Sequence, residues 1–339
     1  MRVAVIIVNY KTPQLVITCL AALAHDRALV PELKAVVVDN ASPDGSAAVL
    51  AQELGRAEFA EWVEFRPLAL NGGFGWGNNQ AMLALFASSE PPEAVLLLNP
   101  DTEIRTGAVA ALVRDMAAHP DAGAVGSQLI NLDGELSGSA FAFPSLAQEF
   151  QRGTCVPRLG RLLRIKPDMA PYGVAGPVDW VTGASVLLRA EALRQVGLFD
   201  TGFFLYFEEV ELMRRLDQAG WKRYHCPDSQ VVHIEGASTG VALPPELRSP
   251  TPDFVQASRD RYFALAGGPL LVRLADMAWI VGDWVGQLVK LFFPTRRPDD
   301  HRRDRAALRS WRRRVPLRPA RPAVTRIGDP LGQPPAWMG

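Results

Sequence analysis

Among the side chains that can hold cations or move protons, Asp39, Asp101, Glu208, Glu209 and His233 stand in settings that suit that chemistry. Asp101 closes Leu96-Leu97-Leu98-Asn99-Pro100-Asp101, an apolar run that stops at Asn99. Proline cannot donate to a sheet ladder, so a buried strand ends there and presents Asp101 beyond its carboxyl end. A carboxylate fixed at that edge can hold a hard cation, and the cation a diphosphate. Asn, Pro and Asp are also ordinary turn residues, and alone the stretch reads more readily as a turn. Glu208 and Glu209 follow the aromatic block Phe203-Phe204-Leu205-Tyr206-Phe207 and precede Leu212, Met213, Leu216 and Ala219 at helical spacing. A helix N-terminus favours acids, which explains the charges but not the aromatic residues beside them. A carboxylate beside apolar walls, kept ionised by the helix, suits general-base work. His233, within Val231-Val232-His233-Ile234, reads first as a core histidine. With a strand-end carboxylate and phosphate oxygens, its imidazole would complete a divalent site.

These groups need a scaffold, and the pattern supplies one. Residues 3–8 are apolar on both faces, as in a central parallel strand, and end in Asn9-Tyr10. Thr12-Pro13 predicts a helix cap followed by proline at the first helical position, with Leu15, Val16, Cys19, Leu20 and Leu23 at helical spacing. A second strand over 35–38 ends in Asp39-Asn40, and Ser42-Pro43 predicts another helix start. A third strand falls near 63–66, a helix follows Gly77, and another covers about 106–118. Strand–helix alternation of this kind predicts an α/β fold with a mostly parallel central sheet and helices on both faces. Three strand ends with polar residues outline a ligand crevice at the carboxyl edge. Asp39 could accept from a base or ribose there, or simply close an Asx turn. Asn71-Gly72-Gly73-Phe74-Gly75-Trp76-Gly77-Asn78-Asn79 carries four glycines that let backbone amides approach a ligand. It has neither the dinucleotide fingerprint nor the lysine of a P-loop. Between Ile130 and Pro177 no long periodic segment stands out, which predicts a loop-rich insertion shaping an acceptor site.

The 339 residues carry no formal net charge, but unevenly. Twelve arginines and four aspartates give residues 294–339 a charge of +8, leaving −8 for residues 1–293. Cys19, Cys155 and Cys226 form neither a disulfide framework nor a metal knuckle and read as thiols of a reducing compartment. No signal segment is evident, and no uncharged run of about 18 apolar residues marks a membrane span.

Taken in order, these motifs resemble the family 2 inverting glycosyltransferases of GT-A (Rossmann-like) fold, closest to a rhamnosyltransferase-like bacterial branch. The resemblance rests on Val8-Asn9-Tyr10, Val38-Asp39-Asn40-Ala41-Ser42, Asn71-Gly72-Gly73-Phe74, Leu98-Asn99-Pro100-Asp101, Trp180 to Ala184, Gly197-Leu198-Phe199-Asp200, Tyr206 to Leu212, and His233. It implies a nucleotide-diphosphate sugar donor, dTDP- or UDP-linked, and one displacement with inversion. It implies that Asn9, Tyr10, Asp39, Asn71, Gly72, Gly73, Asn79, Asn99 and Asp101 bind that donor, with Asp39 on the base. It places Asp101 and His233 on a divalent cation, Mg²⁺ or Mn²⁺, Glu209 as base, and Trp180, Gly183 and Glu208 at the acceptor. Asn99 stands where the family's Asp-X-Asp motif has its first Asp, and Glu209 is one methylene longer than the family's usual base. The acceptor implied is lipid-linked or a polysaccharide in cell-envelope glycan synthesis, the donor dTDP-rhamnose. Two rivals stay open: a nucleotidyltransferase, which would release pyrophosphate, and a non-catalytic nucleotide-sugar-binding or membrane scaffold protein.

The domain layout expected is a catalytic unit over 1–240, its donor half 1–127 and its acceptor half 128–240, a helical region over 241–293, and a tail over 294–339. Within 270–293 the polar residues Arg273, Asp276, Asp283, Gln287 and Lys290 fall on a narrow stripe of a helix. A wide apolar face fits an interfacial membrane helix or one docked on the core. The arginines of 296–314 favour an anionic membrane surface, and no module for nucleic acid accompanies them. The expected place is cytoplasmic, peripheral to the inner face of the membrane. Beyond Val315 the proline-rich composition predicts disorder.

Overall fold

The computed structural model describes residues 1–234, 252–292 and 300–338. The first part of the chain alternates as the sequence predicts: β1 (Val3–Asn9), α1 (Pro13–Ala24), β2 (Lys34–Asp39), α2 (Ser46–Leu54), α3 (Ala57–Ala60), β3 (Val63–Pro67), α4 (Phe74–Phe86) and β4 (Ala94–Leu98). Next come β5 (Thr102–Ile104), α5 (Ala108–Ala118), β6 (Ala122–Ile130), β7 (Ala140–Phe141), α6 (Leu146–Thr154) and α7 (Pro157–Leu162). The chain continues with β8 (Gly176–Val178), β9 (Trp180–Val181), β10 (Ser185–Arg189), α8 (Ala190–Val196), α9 (Glu208–Gln218) and β11 (Lys222–His233). Two long helices follow, α10 (Asp253–Phe292) and α11 (Asp300–Arg314).

Nine strands form one sheet in the order β3-β2-β1-β4-β10-β6-β11-β5, with β8 beside β11. β3, β2, β1 and β4 are mutually parallel, and β10 enters antiparallel between β4 and β6. Alternate residues of β1 feed two cores, because successive strand side chains point to opposite faces. Val5 and Ile7 pack with Leu20 of α1 and Leu112 of α5. Ile6 and Val8 pack with Met82 of α4 and Met213 of α9. The chain reverses its winding between β1 and β4, so the crevice at their carboxyl ends is the expected ligand position.

Several boundaries differ from the sequence reading. α2 begins at Ser46 after Gly45 at φ +86°, not at Ser42-Pro43, because Ser42 is engaged by Asp39. α4 begins at Phe74, so Gly75 and Gly77 lie in the first turn of the helix, and Gly72 and Gly73 form the turn before it. The region expected to be loops contains α6, capped by Ser145, which accepts from Gln148 N. Residues 315–338 are ordered and return to the catalytic unit, where Val324 bridges to Asp200 and Leu198 N donates to Thr325 O at 2.9 Å. The boundary set at 240/241 and the arginines of 293–299 lie outside the described residues.

α10 is long and apolar enough by length and composition to cross a membrane. It is broken at Gly267 and Gly268, ahead of Pro269, and its Asp276 and Asp283 are buried. Arg259 donates to Glu149 of α6 at 2.7 Å and to Asp276 at 2.8 Å, and all three are buried. Arg305 donates to Asp283 at 2.7 Å, and Arg312 holds Asp260 and Asp276 together. Two residues of the polar stripe, Asp276 and Asp283, are therefore on the docked face, whereas Arg273 and Gln287 are exposed, and Leu270, Met277, Trp284 and Leu288 are exposed at 66%, 59%, 62% and 59%. Two glycines seat the helix: a Cβ on Gly153 would lie 2.1 Å from Trp279 O, and one on Gly282 would lie 2.2 Å from Phe150 O.

Candidate active site

Two cavities share a wall. The first, about 420 Å³, lies over the carboxyl ends of β1 and β4 and is lined by Tyr10, Asn40, Asn71, Gly73, Asn99, Asp101, Phe204, Tyr206, His233 and Phe254 among others. The second, about 380 Å³, is lined by Phe141, Gln148, Glu149, Arg152, Trp180, Tyr206, Phe207 and Glu209 among others. Tyr206 belongs to both.

Asp101 and His233 are brought together by sheet geometry. β11 pairs antiparallel with β5, which sets His233 opposite Thr102, and Ile234 N donates to Asp101 O at 3.0 Å. His233 Nε2 then lies 3.4 Å from Asp101 Oδ1, while its buried Nδ1 has no hydrogen-bond partner. The turn before Asp101 is pinned by Thr102 Oγ1 donating to Asn99 O at 2.6 Å and by Asn99 N donating to Ala184 O at 2.9 Å. Beneath it, burial pushes the Cys19 thiol up to about 12, so it stays protonated and unreactive. No group of three or more His, Cys, Asp or Glu side chains gathers among the described residues. One carboxylate and one imidazole make a partial shell that fits a Mg²⁺ or Mn²⁺ ion completed by diphosphate oxygens.

The glycine turn is built by amides rather than by basic residues. Asn71 Oδ1 accepts from Asn40 Nδ2 at 3.1 Å and from Gly73 N at 3.0 Å. Asn40 Nδ2 also donates to Gly73 O at 3.0 Å. Gly73 sits at φ +90°, and a Cβ there would fall 2.0 Å from Phe204 O, so only glycine fits. The chain is also left-handed at Lys11, Ala41, Tyr206 and Phe207, which are not glycine and cluster around the crevice. Such strain persists where the surrounding structure over-determines it, most often at functional sites.

Other expected donor residues lie behind the cleft. Asn9 and Asp39 are buried, with Asn9 Nδ2 donating to Asp39 Oδ1 at 2.7 Å. Asp39 also accepts from Ser42 Oγ at 2.7 Å and Ser42 N at 3.0 Å, so reading a base would mean exchanging a Ser42 contact. Gly72 presents its carbonyl away to Trp337. Asn79 is buried elsewhere, with its amide bonded to Phe199 and Thr325. Asn40, Phe204, Tyr206 and Phe254 were not among the expected site residues. The unexplained aromatic block pointed to two of them, whereas Phe254 follows no motif.

In the second cavity, Trp180 stacks on Phe141 with ring centres 4.4 Å apart and donates to Ala142 O at 2.9 Å. A Cβ on Gly183 would sit in ordinary contact, 3.4 Å from Phe74 and 3.8 Å from Glu209 Cβ, so Gly183 lies beside Glu209. Glu209 lines the cavity with an unpartnered Oε2. Burial raises its pKa, and backbone N–H groups of the first turn of α9 oppose that rise. Glu208 is 3% exposed, also with an unpartnered Oε2, and does not line the second cavity. Burial and then the Glu209 charge push its pKa well up. Two adjacent carboxyls in such surroundings titrate as a pair, one favoured as the ionised member.

A model of the glycosyltransferase-like family 2 matches residues 1–249. The chain belongs to that family. It is 30% identical over 219 residues to an N-acetylglucosaminyl-diphospho-decaprenol L-rhamnosyltransferase of Mycobacterium tuberculosis, covering 60% of this chain and 67% of the relative. A 56-residue stretch is 36% identical to rhamnosyltransferase WbbL of Escherichia coli, 16% of this chain and 21% of that one. The fold of this family 2 chain matches the mannosyltransferase PcManGT of Pyrobaculum calidifontis, solved with GDP-Man and Mn²⁺, at TM-score 0.52 and 16% identity over 91% and 84% of the two chains. It matches S. aureus TarS, solved with UDP-GlcNAc, at TM-score 0.50 and 16% identity over 93% and 82%. The sheet and crevice of this family 2 protein are those of a GT-A glycosyltransferase.

Proposed function

We propose that this chain transfers L-rhamnose from dTDP-rhamnose to a lipid-linked saccharide, with inversion, in cell-envelope glycan synthesis at the cytoplasmic face of a membrane. The observation that carries the reading is the pair of cavities that share Tyr206, with Asp101 and His233 lining one and Glu209 lining the other. The rhamnosyltransferases among its relatives support the donor sugar. The name of the mycobacterial relative, which acts on a decaprenyl diphosphate, supports the lipid acceptor.

In this reading the donor diphosphate lies against Asn99, Asp101, the glycine turn and His233. Asp101 and His233 would hold a divalent cation, which would supply charge neutralisation to a departing nucleoside diphosphate. Glu209 accepts the proton of an acceptor hydroxyl stacked against Trp180 and Tyr206. That oxygen bonds to the anomeric carbon as the bond to the diphosphate oxygen breaks, and the proton stays on Glu209. Asn99 offers neutral contacts only, so the site carries one negative charge fewer toward a diphosphate. The exposed face of α10 and the exposed Arg309 and Arg313 of α11 lie on an anionic membrane surface.

The test is a donor panel of dTDP-rhamnose, UDP-GlcNAc and GDP-mannose with Mg²⁺ or Mn²⁺ and a short polyprenyl-diphosphate saccharide. Release of dTDP and an inverted linkage by NMR are expected. Pyrophosphate release, retained configuration, or no turnover with any donor overturns the proposal. Co-sedimentation with vesicles of anionic phospholipid, lost in Trp284→Asp, checks the membrane contact; equal sedimentation of both proteins removes it.

A further inference from the structure

Residues 323–338 run across the back of the donor cleft and take no part in the chemistry above. Trp337 Nε1 donates to Gly72 O at 2.9 Å, and its ring meets Phe204 edge-on with centres 5.0 Å apart. Trp76 Nε1 donates to Gln333 O at 2.7 Å, and Gly332 N donates to Gln80 Oε1 at 2.8 Å. Gly72 and Phe204 are the two sides of one joint. Phe74 N donates to Phe204 O at 3.1 Å, and Gly73 is pressed so closely on that oxygen that a Cβ has no room. Gly73 and Phe204 line the cleft, whereas Trp337 does not. A glycine turn has no side chain of its own to anchor it, so its place depends on partners. Further along the same loop Asp200, fully buried, accepts from Ala323 N at 3.1 Å and from Arg261 at 2.7 Å.

We infer that Trp337 is a positioning residue for the nucleotide-sugar donor: from behind, it sets the spacing between the Gly72–Gly73 turn and the Phe204 wall, and so the width of the donor cleft. The inference rests on the donor reading of that cleft. Small misplacements of binding groups cost reactive geometry heavily, so a residue that never touches the donor can still govern its affinity.

The experiment uses the full chain as parent, Trp337→Ala and Trp337→Phe. Calorimetric titration with dTDP and with UDP, each with Mn²⁺, is set beside donor KM, acceptor KM, kcat and thermal melting. Trp337→Ala is expected to weaken dTDP binding and raise donor KM by roughly fivefold or more, the weight of one neutral hydrogen bond and its ring contact. Acceptor KM and kcat stay within about twofold, because only donor binding is disturbed. Trp337→Phe keeps the ring contact and loses the N–H, and falls between the two. A loss of kcat with donor KM unchanged marks a merely structural role and overturns the inference. If Trp337→Ala does not melt cooperatively, Trp337→Phe decides, and a donor KM equal to the parent's overturns it. A parent that binds neither nucleotide overturns the donor reading and this inference together, whereas a parent that binds with unaltered variants overturns this inference alone.

Discussion

Glu209 faces an aromatic cavity with one oxygen unpartnered, which is the condition a base needs before its substrate arrives. Glu209→Gln keeps the shape and removes the basicity, so transfer should fall by about 10²–10⁴-fold while dTDP binding persists. Because burial raises the Glu209 pKa, the rate of the parent should climb with pH along a limb displaced above the usual carboxylate range. A rate independent of pH from 4 to 8 would contradict that assignment. Glu208 carries a different consequence. Its folded pKa lies above the ordinary 4.5, so the folded state holds that proton more tightly than the unfolded one. Its favourable contribution is complete below the unfolded value and is lost as pH rises through the folded one. Glu208→Gln should therefore melt higher than the parent at pH 8, and the gap should close toward pH 4. At this scale the closeness of Asp101 to His233 and the cavity position of Glu209 agree with what residue type and setting suggested. The place of Asn9, Asp39 and Asn79 was not legible there, because a polar residue bonded inside the core and one facing a ligand look alike in sequence.

The elements tell a similar story about faces. The periodicity of α10 gives the helix and its narrow polar stripe, but not which side turns inward. That depends on Glu149 of α6, on Arg259 of the helix's own first half, and on Arg305 and Arg312 of α11, none of them within the amphipathic segment 270–293. α6 escaped notice for a related reason. Its buried positions are Gln148, Glu149, Gly153 and Thr154, so its docked face has no apolar rhythm to detect. The seating of these helices on paired glycines gives a sharp expectation. Gly282→Ala forces a methyl group onto Phe150 O and pushes α10 from α6, which carries Gln148, Glu149 and Arg152 of the acceptor cavity. It should destabilise the protein by about 1–3 kcal/mol, as overpacking does, and raise acceptor KM more than donor KM. Melting curves with steady-state kinetics for both substrates check it, and an unchanged acceptor KM would remove the link between the helix pair and that cavity.

Across the whole molecule the −8 body and +8 tail do not stay apart. Arg305, Arg312 and Arg314 pair with Asp283, Asp260, Asp276 and Asp253, so part of the tail's basic charge goes into holding the fold. Composition alone marked residues beyond Val315 as disordered. They are ordered because Thr325, Gly332, Gln333 and Trp337 find partners in the donor half, a fact no local property of the tail encodes. Those bonds join residues 246 to 265 positions apart along the chain. Loops that long must close before their contacts repay the entropy, and topologies rich in such contacts fold slowly. On dilution from denaturant, helical ellipticity should return first, and binding of dTDP should lag behind it as the strap finds its seat. Trp337→Ala should shorten that lag, since one of the last contacts to form is gone. The two ends of the chain are thus coupled in time as well as in space.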